Sequence, residues 1–194
     1  MYDENPGKRL CTDGRNIMYT TEELINDCEK FNHFVNSLGK MEETLFFEPI
    51  AEGKWSVAEI ISHISFWDKY IREEMLPRMK LNAAIESIDF ETLNNQAANY
   101  ALSNVSQQHI LDKQLEERIH LVSDLRKKNE EEFFATFSLN GEEVDQYSGY
   151  PHSIFNYVAA FVWHDNHHKQ QIDGFLKQNG VELKEDNNNN NIKR

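Results

Sequence analysis

Between Ser56 and Arg72 the chain reads SVAEIISHISFWDKYIR, and Val57, Ile60, Ile64, Trp67 and Ile71 recur every three or four residues. At 3.6 residues per turn that spacing stacks them on one face, whereas a half-buried strand would need strict alternation. Ser56, three residues before Glu59, supplies a capping box that opens the helix. Tyr70 and His63 project to the same apolar side; Ala58, Ser65, Lys69 and Arg72 are expected opposite. Pro77 is expected to bend or end the helix, because its ring blocks the next turn.

The same period returns along the chain. Thr20 and Glu23 form an earlier capping box, followed by a stripe of Leu24, Cys28, Phe31, Val35 and Leu38 that closes near Gly39. From Ser106 a long helix is expected to bury Leu111, Leu115, Val122, Leu125 and Phe133. The last helix opens around Pro151 to Ser153 and runs to KQNG, where Gly180 suits a left-handed cap. Its first half, IFNYVAAFVW, is apolar all round and must be enclosed by the fold or shared with another subunit. Weaker periodicity between residues 80 and 105, at Phe90, Leu93 and Ala97, suggests a short helix crossing the bundle, and residues 138–151 read as a loop.

With four prolines and eight glycines in 194 residues, the chain reads as all-α, a four-helix bundle with one longer connection. One domain spans residues 20–180, after a polar leader at 1–19. The tail, 181–194, carries five consecutive asparagines with little to bury and is expected to be disordered.

A net charge of −13 offers no attraction to a polyanion, which argues against nucleic acid or an anionic membrane as partner and towards small substrates or proteins. No run of eighteen apolar residues and no apolar signal core is present, so a cytoplasmic protein is expected. Cys11 and Cys28 lack the paired spacing of thiolate metal sites; Cys28 reads as a small core residue.

The stretch HDNHHKQQI places three of the eight histidines within five positions. Stepping 100° per residue puts His164, His168 and Gln171 in the sector of Tyr157, Phe161 and Phe175, with Asn166, Lys169, Gln170 and Asp173 opposite. Two helices therefore send imidazole inward. A lone buried histidine is ordinarily neutral and bonded to a carbonyl, but three must each satisfy two ring nitrogens, and an unpaired buried group costs about 1–3 kcal/mol. A divalent ion on His63, His164 and His168 satisfies all three, and three ligands leave coordination positions open, as catalysis requires.

Other metal motifs fit worse. A zincin needs glutamate after the first histidine, where Asp165 stands, off the histidine face. Glu117 to His120 matches one half of a di-iron site, but His120 projects to solvent and no second copy exists. His33, His109 and His167 read as surface residues, and His152 as a residue at a helix start that could line the site. Glu59 could orient His63, although its capping role already explains it.

Together, KWSVAEIISHISFWDKYI and HDNHHKQQI resemble the DinB-like family, also called YfiT-like metal-dependent hydrolases, with Trp55, His63, His164, His168 and Gln171 at the family's motif positions. The match is close in the second and last helices and covers residues 20–180 in layout. The resemblance implies an up-down-down-up four-helix bundle, often a homodimer, with nickel, zinc or another divalent ion on the three histidines. It further implies activity as a hydrolase, or as an S-transferase using bacillithiol or a similar low-molecular-weight thiol as cosubstrate. A non-catalytic metal- or ligand-binding dimer acting in a stress response is the competing expectation. Residues 80–105 and 138–152, the expected pocket rim, match no family motif, so the resemblance does not carry substrate identity.

Overall fold

The structure, a computed structural model, describes residues 8–10 and 16–182. Cys11, most of the tail and the rest of the leader lie outside the described residues. Within the leader, β1 (Lys8–Leu10) pairs antiparallel with β2 (Asn16–Met18).

Helix α1 (Thr21–Leu38) begins at the expected box: Glu23 N–H donates to Thr20 Oγ1, and the Glu23 carboxylate accepts from Thr20 N at 2.8 Å. A single turn, α2 (Glu43–Phe46), leads to α3 (Val57–Tyr70), whose Ser56–Glu59 box is likewise complete. The helix then widens into one π turn (Ile71–Met75), with Leu76 N–H donating to Ile71 O at 2.8 Å, and stops before Pro77. The crossing helix is α4 (Phe90–Ala101), which buries Leu93 and Ala97 but leaves Phe90 exposed.

The long helix is shorter than its periodicity suggested. α5 (Gln107–Leu125) ends, and Phe133 belongs to a separate turn, α6 (Glu130–Phe134), because Asn129 and Glu132 build a capping box that restarts the chain. The segment 138–152 is a loop, except that Ser138–Leu139 (β4) pairs in parallel with Ala84–Ile85 (β3), tying this loop to the segment that precedes the crossing helix. Last comes α7 (Ile154–Gln178), followed by Gly180 at φ +70°, a conformation that costs glycine little.

Contacts between helices give the directions. Gln107 at the start of α5 donates to Leu38 O at the end of α1, so these two run antiparallel. Lys113 lies over Phe66, and Arg72 reaches Glu117, so α3 and α5 run in parallel. His63 meets His164 while Trp67 meets Phe161, so α7 opposes α3. The order is up-down-down-up, as the sequence resemblance implied.

The apolar core falls into two clusters. One gathers Leu24, Cys28, Ile71, Met75, Leu121, Leu125, Ile154 and Val158; the other gathers Phe31, Leu38, Ile60, Ile64, Ile110, Leu111, Ile172 and Phe175. Between them runs a polar layer. Helix α3 packs on α4 and α5 as well as meeting α7. Ala58 and Ser65, expected on an outer face, are therefore fully buried.

Candidate metal centre

His63 is brought inward by the capped start of α3, and His164 and His168 by successive turns of α7. Their Nε2 atoms converge: His164 Nε2 lies 3.0 Å from His63 Nε2 and 3.0 Å from His168 Nε2. All three ligand atoms fall within 4.8 Å of one another, and among the described residues no other such group occurs. Trp55 and Trp67 flank His63 at ring distances of 5.1 and 6.4 Å, and Phe161 stands 5.8 Å from His164. Trp67 Nε1–H is itself held by Asn94 Oδ1 at 3.0 Å, which anchors α4 to the site.

The donor set suits a divalent cation. Gln171 Oε1 can only accept, so at 2.9 Å it places a proton on His168 Nδ1 and leaves His168 Nε2 as a bare lone pair. His164 Nε2 then faces two nitrogens at once. One imidazole nitrogen carries at most one proton, so both contacts cannot be good hydrogen bonds. Nitrogens bound about 2.0–2.1 Å from a tetrahedral ion lie about 3.4 Å apart, within a few tenths of an ångström of this spacing. Burial, reinforced by the two neighbouring imidazoles, pushes His63 down to about 3. Burial and His164 likewise push His168 down to about 4. Both are neutral at physiological pH, the form a metal needs.

The other sequence candidates are elsewhere. His33, His109, His120 and His167 are exposed, and His152 is buried against Phe137 in the loop instead of joining the cluster. Glu59 is occupied by its cap. Glu117 is drawn to Arg72 and Lys113, away from His120, so no half di-iron site forms.

The polar layer was not anticipated. Arg118, 1% exposed, clamps Asp68 through Nε at 2.7 Å and Nη2 at 2.9 Å; its Nη1 reaches Asp165 at 2.7 Å and the Cys28 carbonyl at 3.0 Å. Gln114 adds a donor to Asp68 at 3.0 Å. Burial pushes Asp68 up to about 6 despite Arg118, with Asp165 adding to the rise. Burial would also raise Asp165, but Arg118 and His164 outweigh it and hold that carboxyl low. Cys28, enclosed beside the guanidinium, is raised to about 12 by burial and is a packing residue rather than a nucleophile. A signal did exist: Arg118 stands midway between Leu111 and Leu125, and Asp165 midway between Val158 and Ile172, each on a buried seven-residue step.

An all-helical bundle with three imidazole nitrogens converging between α3 and α7 is therefore the class of protein defined here. The chain belongs to the DinB superfamily, whose family model matches residues 27–172 and so spans every residue of the cluster and of the polar layer. Among solved structures it is similar to YfiT from Bacillus subtilis, described as a probable metal-dependent hydrolase with an unusual four-helix bundle topology. That match has 15% identity over 92% of this chain and 99% of the other, with a TM-score of 0.62. It is also similar to an uncharacterized protein from Clostridium difficile 630, at 14% identity over 84% of this chain and 98% of that one, with a TM-score of 0.62. At such identities the likeness is one of fold. No curated protein matches the chain.

Proposed function

We propose that the protein is a metalloenzyme in which His63, His164 and His168 hold one divalent ion, nickel or zinc, and that it activates a small nucleophile against an electrophilic small molecule. The observation that carries this reading is the convergence of three Nε2 atoms, with no fourth His, Cys, Asp or Glu in the group among the described residues. A bound ion supplies Lewis acidity, which makes water or a thiol a better nucleophile at neutral pH.

The chain's own residues do the rest. Gln171 holds the His168 tautomer, while Trp55 and Trp67 pack against the His63 ring and Phe161 against that of His164. On the His168 side lies a cleft of about 260 Å³ lined by Ile50, Lys54, Trp55, Ile60 and Gln171. That is smaller than the roughly 300–1,000 Å³ of drug-sized pockets, which supports a small occupant. Cys28, the cysteine among the described residues, is sealed, so the S-transfer reading takes its thiol from a cosubstrate such as bacillithiol. Hydrolysis is the second reading, favoured by the description of YfiT.

Elemental analysis of wild type and of single alanine variants at the three histidines tests the centre; stoichiometric metal in all three variants would overturn it. Turnover of monochlorobimane with and without bacillithiol then separates S-transfer from hydrolysis. Tight metal without either reaction would favour a non-catalytic binding protein. A cytoplasmic homodimer belongs to the same proposal, supported by the 62% exposure of Trp163 on α7; light scattering at the monomer mass would refute the dimer. No helix among the described residues is long and apolar enough to cross a membrane.

A further inference from the structure

His164 Nδ1 and Asp165 Oδ1 are both enclosed, and neither has a hydrogen-bond partner. They face each other at 3.5 Å. Neighbouring residues on a helix diverge by about 100°, so such an approach is not imposed by the backbone. It arises because Arg118 Nη1 draws Asp165 Oδ2 into the bundle at 2.7 Å, which turns the second oxygen towards the imidazole.

We propose that Asp165 is a positioning residue for the metal centre: its Oδ1 accepts the Nδ1–H of His164 and thereby fixes the tautomer that offers Nε2 to the ion, with Arg118 holding the carboxylate in place. This rests on the metal reading above. Neutral imidazole carries one N–H, so a proton kept on Nδ1 leaves Nε2 bare. Gln171 does the same for His168 at 2.9 Å. A closure of about half an ångström brings the His164 contact into the normal hydrogen-bond range. Carboxylate–histidine pairs of this kind make the ring a more basic ligand.

Asp68 provides the control. It shares the same guanidinium, yet among the described residues no hydrogen bond or ion pair joins it to a histidine. In Asp165→Asn the amide oxygen is claimed by Arg118, so the NH₂ group meets the His164 Nδ1–H donor to donor. In Asp68→Asn the guanidinium loses a charge partner, but His164 keeps its acceptor.

The experiment is zinc affinity by competition with a chromophoric chelator, alongside urea unfolding of the metal-free proteins. Asp165→Asn is expected to weaken zinc roughly 10–100-fold, and Asp68→Asn by less than about threefold although it too loses stability. Equal affinity in Asp165→Asn and wild type, or equal losses in both variants, would overturn the assignment. Should Asp165→Asn fail to fold, ring nitrogen NMR of zinc-loaded wild type decides: a protonated, slowly exchanging His164 Nδ1 supports it, and an Nδ1-bound ion or a freely exchanging proton refutes it. A wild type that binds neither zinc nor nickel removes the metal reading itself, a failure visible before any Asp165 variant is made.

Discussion

His63 and His168 show how burial prepares a ligand. Their folded values, about 3 and about 4, lie below the ordinary 6.5, so between those limits the unfolded chain binds more protons than the folded one. Their contribution to stability is complete above about pH 6.5 and lost as pH falls through that window. Asp68 acts with the opposite sign: raised to about 6, it takes a proton in the folded state first and favours folding as pH falls towards its unfolded value. Comparing variants separates these effects. In chelator, His63→Leu is expected to flatten the fall in unfolding free energy between pH 6.5 and 4 by up to one proton, about 1.4 kcal/mol per pH unit. Urea titrations at several pH values measure it, and parallel slopes for the two proteins would contradict the buried neutral histidine.

Among elements, α3 is the piece on which the site depends, since its first turn sets the angle at which His63 enters. Ser56 Oγ receives Glu59 N–H, and the Glu59 carboxylate answers Ser56 N. Ser56→Ala should cost about 1 kcal/mol of unfolding free energy, read by chemical denaturation, and Thr20→Ala on α1 a similar amount. Wild-type stability in either variant would show that packing, not the cap, fixes that helix. Both boxes were legible because a cap is a local device written in four residues. The break between α5 and α6 is just as local, in Asn129 and Glu132, but the apolar spacing running on to Phe133 masked it.

For the whole molecule, Arg118 bonds to α1, α3 and α7 from α5, through Cys28, Asp68 and Asp165. Removing it strands two buried carboxylates. Arg118→Met is expected to lose about 3–5 kcal/mol by urea unfolding, and Arg118→Lys to restore little of it, since a point charge cannot make the bidentate contact. A stability within the error of wild type would show that the layer is dispensable. A metal on the three histidines would link two of these helices, α3 and α7. At a hundred times its dissociation constant, a bound ion adds about 2.7 kcal/mol, which raises the melting temperature by roughly 5–10 °C for a chain of this size. Calorimetry with and without chelator checks this, and the histidine variants should show no shift.

The residue order by itself determined the helices, their caps and the inward faces of His63, His164 and His168, because periodicity and capping depend on neighbours within one or two turns. Projection of one helix could also tell that Asp165 leaves the histidine face. It could not tell that this second direction is buried too, since what lies there is Arg118 of another helix. The same holds for Ala58 and Ser65, which a single-helix projection assigns to an outer face and which α4 and α5 cover. Only the tertiary structure decided which charges would be enclosed, because the partner that makes a buried charge tolerable sits some fifty positions away from it in the chain.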